Sequence, residues 1–194
     1  MARTREQVAR NKMIHAIVFF TKNTKFCNEL KLYKLLCHLD FDVFRETGKT
    51  VTGLDYFAWP MGPVPKHLRD ELPNQKADLK AAVSITTTSE DDRTFAGKRT
   101  DFKARVPFNP LHFTKRELRH LLRLAEIFKE THADDMTAVS HMVGSPWDQV
   151  FNGQGKHYDQ IPFRLALDSK LGSITKEQAD IIDEELNEAA ALAE

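Results

Sequence analysis

The chain has 194 residues, of which 41% are apolar and 29% are charged. This length and composition are typical of a single globular domain spanning residues 1–194, and they exclude extended disorder, a collagen-like repeat and a membrane-embedded bundle. Lysine plus arginine and aspartate plus glutamate both number 28, and this balance argues against a protein that coats nucleic acid.

The charge is unevenly distributed along the chain. Residues 1–39 carry eight basic side chains against two acidic ones, whereas residues 175–194 carry one lysine against seven acids. Most of these charges are interpreted as solvated helix faces, although opposite charges at the two ends could also attract each other or face different partners.

Two helices are predicted at the start of the chain. The first covers residues 5–21. Asn28 is a plausible N-cap for the second, and Gly48 stands where a C-terminal glycine cap is expected. The core stripe of the second helix has helical spacing and comprises Leu32, Leu35, Leu36, Leu39 and Val43.

The middle of the chain predicts strands and turns. Residues 50–59 suit a strand or an extended segment, and the proline-rich stretch that follows suits a turn. Pro65 fits the first turn of a helix running to Leu72. Residues 81–88 and 100–108 alternate as strands do, with an exposed polar loop over residues 89–99 between them.

Capping boxes predict two of the later helices. Thr114 and Glu117 open one, and Thr175 and Gln178 open the terminal acidic helix. A shorter helix is predicted from Asp134 or Asp135 to Met142. The apolar residues that share one face are Leu118, Leu121, Leu122, Ala125 and Phe128 in the first, and Ala179, Ile182, Leu186 and Ala189 in the last. These elements together predict a mainly helical α+β single domain with a small antiparallel β-sheet.

Catalytic and cofactor motifs are absent from the sequence. No two of the eight histidines have the spacing of a metal-binding helix, and no glycine-rich phosphate loop is present, so no metal and no cofactor are expected. Ser140 and His141 are adjacent, a spacing that does not suit a nucleophile and its base on one helix. The helical break near Gly144 lacks the basic second helix that DNA reading requires.

The compartment follows from cysteine usage and from the lack of apolar segments. Cys27 and Cys37 do not form a disulfide framework, which favours a reducing environment. The longest apolar run is far shorter than a membrane span, and the basic N-terminus lacks a cleavage site. We therefore expect a cytoplasmic protein with no membrane contact.

An ordered set of short motifs is the most specific part of the sequence. It runs from Leu32-Tyr33-Lys34-Leu35-Leu36 through Asp40-Phe41, Phe44, Gly48, Thr52-Gly53 and Tyr56 to Ala58-Trp59-Pro60 and Gly62-Pro63-Val64-Pro65. This set resembles the Panacea domain, the SocA-like family of bacterial and phage antitoxins. Glu117-Leu118, Ser140-His141 and Pro146-Trp147 are similar to the second half of that family, so the resemblance covers residues 8–151.

The resemblance implies a non-enzymatic antitoxin of a toxin–antitoxin system, with a cognate protein toxin as partner and a prophage context. One alternative is a phage or mobile-element interaction protein that delivers its partner to a cellular protease. A second is a DNA-binding autoregulator that uses the basic N-terminus, although zero net charge argues against nucleic acid as a partner.

A toxin-binding surface is expected at the proline-rich turn and the helix that it opens. Prolines reduce the ordering entropy of a surface loop, and large adaptable side chains are enriched at interface centres. For Trp59 itself, a position in the core is the favoured interpretation. The candidate toxin-binding residues are Trp59, Pro60, Met61, Gly62, Pro63, Val64, Pro65, Lys66, His67 and Arg69.

Overall fold

Two long helices form the centre of the computed structural model, which describes residues 4–89, 98–167 and 174–191. Helix α1 spans Arg5–Asn23, and helix α2 spans Glu29–Thr47. The side chain of Asn28 accepts a hydrogen bond from the amide of Lys31 and so caps α2, as predicted. Gly48 ends α2 with φ +66°, a left-handed conformation in which a side chain would be strained.

Two separate antiparallel hairpins provide the strands. Strands β1 (Tyr56–Trp59) and β2 (Gly62–Pro65) form the first hairpin, and β3 (Val83–Ser89) and β4 (Lys98–Ala104) form the second. In the described residues these are two two-stranded sheets, so the strand content is divided where one small sheet was predicted. The predicted polar loop between β3 and β4 lies largely outside the described residues.

Short helices join the hairpins to the rest of the molecule. Helix α3 (Lys66–Glu71) leaves β2 directly, with Pro65 as its N-cap, and α4 (Ala77–Ala82) precedes β3. The second half contains α5 (Lys115–Ile127), α6 (Ala133–Ser140), the single turn α7 (Pro146–Asp148) and α8 (Lys176–Ala191). A π-helical turn covers Gln149–Gly153, and 3₁₀ turns cover Leu72–Asn74, Pro110–His112 and Phe163–Ala166.

Helix α2 lies at the middle of the core and packs against α1, α5, α6 and the first hairpin. Its predicted stripe is buried throughout, and so are two lysines, Lys31 and Lys34. The ammonium of Lys31 donates to the carbonyls of Lys25, Phe128 and Thr131, each at 2.7 Å. Two of these carbonyls, those of Phe128 and Thr131, come directly after α5. Lys31 therefore supplies hydrogen-bond donors, from within the core, to carbonyls at the C-terminal end of that helix.

The structure confirms the mainly helical α+β class and corrects several local predictions. Both capping boxes, at Thr114 and Thr175, are present. Leu122, which belongs to the apolar face predicted for α5, is 61% exposed, because Glu117, His120 and Leu124 occupy the buried face of this helix. Helix α6 begins at Ala133, before the predicted aspartates, and ends at Ser140.

Candidate functional site

The first hairpin turns through only two residues. Trp59 pairs with Gly62, which leaves Pro60 and Met61 as the turn. Gly62 has φ +109°, a conformation that residues with a side chain avoid. Pro60 is exposed and Met61 is half-buried, so the tip of this hairpin faces solvent.

Two buried donors hold the tip from below. The ammonium of Lys34 donates to the carbonyl oxygen of Met61 at 2.9 Å, and the indole Nε1 of Trp147 donates to the carbonyl oxygen of Trp59 at 2.8 Å. The side chains of Lys34 and Trp147 come from α2 and α7, and the residues are only 1% and 5% exposed. We call Lys34 and Trp147 the hairpin clamp, because they fix the backbone on both sides of Pro60.

The outer edge of β1 is covered by a later segment of the chain. The amide of Tyr158 donates to the carbonyl of Ala58 at 2.7 Å, and the amide of Ala58 donates to the carbonyl of Asp159 at 2.8 Å. The amide of Ile161 donates to the carbonyl of Tyr56 at 2.7 Å. Residues 158–161 therefore occupy the backbone positions that a partner strand would need at this edge.

Asp40 anchors the connection that leads from α2 into the hairpin. Its buried carboxylate accepts hydrogen bonds from the amides of Val51 at 2.7 Å and Thr52 at 2.8 Å, from the hydroxyl of Tyr56 at 2.7 Å and from the hydroxyl of Thr52. Burial raises the pKa of Asp40 to about 6, although these four hydrogen bonds oppose the rise. Asp40, Thr52 and Tyr56 therefore serve the fold by setting where the hairpin starts.

An aromatic ring and a cation flank the tip on its solvent side. The guanidinium of Arg69 lies over the indole of Trp59, 4.5 Å from its centroid, and the ring of Tyr158 meets the same indole edge-on at 5.3 Å. Trp59 is half-buried, and Tyr158 is 56% exposed. Tyr158 has φ +68°, which is uncommon for a residue with a bulky side chain.

The ten candidate residues divide into two groups. Six of them reach solvent at least in part, and together with Tyr158 they form a surface that we call the hairpin face: Trp59, Pro60, Met61, Lys66, His67 and Arg69. The other four are buried beneath it: Gly62, Pro63, Val64 and Pro65. Lys66 forms an exposed ion pair with Asp70 at 2.7 Å.

His141 lies beside the clamp and has a structural role there. Its ring stacks on the indole of Trp147 at 3.7 Å with an interplanar angle of 7°. Burial, and then the charge of Lys34, lower the pKa of His141. The carboxylate of Asp148, a nearby acid, accepts hydrogen bonds from the backbone amide of Gly144 and from the side-chain amide of Asn152. This geometry gives no support to a nucleophile–base pair at His141.

Neither a metal centre nor a membrane span is found in the part of the chain that the structure describes. No group of three or more histidine, cysteine, aspartate or glutamate side chains there is placed to hold a metal ion. No helix among residues 4–89, 98–167 and 174–191 combines the length and apolar character needed to cross a bilayer.

Sequence reasoning missed three contributors to this site. Tyr158 lies outside every helix and strand predicted from the sequence, and no local pattern marks it. Lys34 and Trp147 belong to the motifs that resemble the Panacea domain, but their contacts join residues 27 and 88 positions apart. Lys34 is two residues after Leu32 and therefore lies on the face of α2 opposite the predicted apolar stripe, where helical periodicity predicts exposure.

Comparison with known proteins identifies one matching family model, described as "Antitoxin SocA-like, Panacea domain", over residues 32–148. A search of curated proteins and a search of solved structures found no match. The matched range includes both clamp residues, the whole first hairpin and Asp40.

Proposed function

We propose that this chain, which belongs to the family of SocA-like antitoxins with a Panacea domain, neutralises a protein toxin by binding it directly through the hairpin face. The neutralisation is stoichiometric and non-enzymatic. The observation that carries the proposal is the clamped tip, in which buried Lys34 and Trp147 hold the two carbonyls on either side of Pro60.

Rigidity of the tip supports a binding role. Ordering a surface loop on association costs free energy, and a loop that is already ordered avoids this cost. Pro60 restricts the backbone of the turn, and the clamp removes its remaining freedom. The buried Pro63 and Pro65 support the tip as scaffold without having to touch the partner.

The composition of the hairpin face also supports the proposal. Tryptophan, tyrosine and arginine are the residues most enriched among those that dominate binding energy. Trp59 contacts both Arg69 and Tyr158, and these contacts order the three side chains before any partner arrives. Met61 adds an adaptable apolar side chain at the tip.

A neutralisation assay with charge-reversal variants tests the proposal. The chain is co-expressed with the product of its neighbouring gene, which is tested as the toxin, and growth rescue is measured for Lys66→Glu, Arg69→Glu and Met61→Ala. We expect each variant to weaken toxin binding, and Met61→Ala to do so by about 2 kcal/mol or more if it anchors the interface. The melting temperatures of the two charge reversals should change little, because both residues lie at the surface.

Lys80→Glu is the matched control, since Lys80 is an exposed lysine on α4 outside the hairpin face. It should rescue growth as the parent does. If Lys66→Glu and Arg69→Glu also rescue like the parent at equal expression, the hairpin face is not the toxin-binding surface, and the acidic helix α8 becomes the next candidate. If Met61→Ala loses rescue only by unfolding, Met61 belongs to the core.

A further inference from the structure

Helix α5 presents a basic face to solvent, on the side opposite its packing against α1 and α2. Lys115, Arg119 and Arg123 are exposed, and their helical spacing places them on this one side. Leu122 lies among them and is 61% exposed, and Glu126 stands at the C-terminal end of the face. None of the three cations forms an ion pair within the part of the chain that the structure describes.

Helix α8 presents a face of the opposite charge. Four exposed glutamates and one exposed apolar residue share one side of this helix: Glu177, Ile181, Glu184, Glu185 and Glu188. Ile181 is 55% exposed. The four glutamates form no ion pair with any described residue. The two faces therefore have the same organisation with opposite sign, an apolar side chain set among charges.

The positions of the charges match when two such helices run antiparallel. With Leu122 opposite Ile181, two cations of α5 come to lie opposite two glutamates of α8. These pairs are Arg119 with Glu184 and Lys115 with Glu188. The members of the first pair are each three residues from the central apolar residue, and those of the second are each seven residues away. The other end of the helix pair holds two charges of each sign: Arg123, Glu126, Lys176 and Glu177.

Both helices adjoin the C-terminal end of α2. The carboxylate of Glu46 lies 3.7 Å from Arg116 and 3.2 Å from His120, both on α5. Gly48, the cap of α2, is so close to α8 that a Cβ added to it would lie 2.9 Å from Cδ1 of Ile182. No ion pair joins α5 to α8 among residues 4–89, 98–167 and 174–191. The two complementary faces are thus held near each other and left unmatched within one chain.

We propose that two copies of this chain associate through these faces, with α8 of each copy docked antiparallel on α5 of the other. A two-fold axis forms both helix pairs at once and closes the assembly at two copies. Leu122 of one copy meets Ile181 of the other, which removes both exposed apolar side chains from water. The dimer is weak and sensitive to salt, because exposed ion pairs are individually weak and are screened by ions. The proposal is independent of toxin binding, because the hairpin face consists of other residues.

Sedimentation velocity of the full chain, at several protein concentrations, tests this proposal. We expect a dimer at about 50 mM salt, and association about 10-fold weaker or more at about 500 mM, where screening reduces the range of charge interactions to about 4 Å. A chain that sediments as a monomer at every concentration in low salt would overturn the proposal. A dimer whose affinity does not change with salt would overturn it equally.

Charge reversal on each helix identifies the faces. The α5 variant combines Arg119→Glu with Arg123→Glu, and the α8 variant combines Glu184→Lys with Glu188→Lys. Each variant alone should associate about 10-fold more weakly than the parent or worse, because like charges then face each other. An equimolar mixture of the two should restore the dimer, because the reversed α5 matches the reversed α8 and the two unaltered faces match each other. A mixture that stays monomeric, with parent-like melting temperatures for both variants, would contradict the assignment.

Lys80→Glu combined with Lys103→Glu is the matched control. It changes the net charge by the same amount as the α5 variant, at exposed positions of α4 and β4 that belong to neither face. This variant should dimerise as the parent does. Loss of the dimer in the control as well would show that association follows net charge and not the two faces, and would overturn the proposal.

Cysteine cross-linking tests the register and uses no charge reversal. Under a mild oxidant, a mixture of Leu122→Cys and Ile181→Cys should form a disulfide-linked dimer, whereas each variant alone and the parent should not. The parent is the necessary comparison because it contains Cys27 and Cys37, of which Cys27 is buried and Cys37 half-buried. Absence of the cross-link in the mixture, or equal cross-linking of either variant with itself, would overturn the antiparallel docking. This experiment remains decisive if a charge-reversal variant does not fold.

Discussion

Asp40 shows how a buried carboxylate fixes the start of the hairpin. Its pKa is raised from 3.8 to about 6 because burial disfavours the charged form. The folded state therefore binds the proton more tightly than the unfolded chain does. The stability that this group contributes is fully present below pH 3.8 and is lost as the pH rises through about 6.

The variant Asp40→Asn should remove this pH dependence and keep the fold. The side-chain oxygen of the introduced asparagine can accept hydrogen bonds from the amides of Val51 and Thr52. Its side-chain NH2 group can donate to the hydroxyls of Thr52 and Tyr56, which rotate to accept the bond. Between pH 4 and 7, the free energy of unfolding of the parent should fall relative to that of Asp40→Asn by about 2–3 kcal/mol. Urea denaturation of both proteins across this pH range measures the difference.

The variant Asp40→Ala is the contrasting case. It leaves the amides of Val51 and Thr52 buried without an acceptor, so we expect a loss of about 3 kcal/mol or more at neutral pH. If the stability of the parent and that of Asp40→Asn change with pH in the same way, the raised pKa does not belong to Asp40.

The two buried lysines of α2 should respond differently to the same substitution. Lys31→Met leaves three carbonyls without their donor and should cost about 3 kcal/mol or more. Lys34→Met frees one carbonyl and also removes a poorly compensated charge, so its cost should be clearly smaller. Denaturant unfolding of both variants provides the comparison, and a larger loss in Lys34→Met would show that Lys34 is better paired than its contacts indicate.

At the scale of elements, α7 acts on the hairpin through the hydrogen bond from Trp147 to Trp59. Trp147→Phe removes the donor to the carbonyl of Trp59 and retains an aromatic ring beneath His141. We expect a stability loss of about 1–2 kcal/mol together with toxin affinity reduced about 5–10-fold, since the tip is no longer held on one side. Binding to the purified toxin measures the second effect.

The control for Trp147→Phe is Val150→Ala, a truncation elsewhere in the buried part of the same segment. It should lower stability by a comparable amount and leave toxin affinity nearly unchanged. If both variants weaken binding equally, the effect follows from stability and the clamp has no separate role in positioning the tip.

Local signals in the sequence predict the individual helices and strands. They do not predict the contacts between elements that are distant in the sequence. The spacing of Leu32 to Val43 and the cap at Asn28 predict α2 because helix periodicity and capping act over a few residues. The face of α5 was partly mispredicted because Glu117 both caps the helix and pairs with Lys12 at 2.6 Å, 105 positions away. No residue near Glu117 in the sequence indicates that Lys12 will be its partner.

The same limit applies to the candidate site. The motifs located the hairpin and its tip, but Gly62, Pro63, Val64 and Pro65 could not be separated from the exposed residues by sequence. Their burial depends on α2 and α6 packing against β2, which are non-local contacts. Tyr158 reaches the same surface through backbone pairing with β1, a contact that composition does not encode.

For the whole molecule, the basic N-terminal segment is largely engaged in internal contacts. Arg10 lies between Glu71 and Asp78, at 2.5 Å and 2.8 Å, and Lys12 pairs with Glu117. These pairs connect α1 to α3, α4 and α5. The positive excess of residues 1–39 is therefore partly neutralised by acids from elsewhere in the chain.

We accordingly predict no tight, sequence-specific binding to DNA. Any retained binding should be weak and nonspecific, and a gel-shift titration at several salt concentrations measures it. Operator binding that falls steeply with salt and is lost in Arg5→Gln with Lys22→Gln would contradict this prediction. These two positions are exposed cations of α1, and changing them leaves the ion pairs of Arg10 and Lys12 intact.

The covered edge of β1 has a consequence for how such a protein could diversify. With residues 158–161 occupying the outer edge of β1, a partner at the hairpin face must recognise side chains there and cannot add a strand at this edge. Side chains at the surface can be exchanged at little cost in folding free energy, whereas the buried clamp and Asp40 cannot. A lineage could therefore acquire a new partner by a few substitutions at Met61, Lys66 or Arg69 while its scaffold is inherited unchanged.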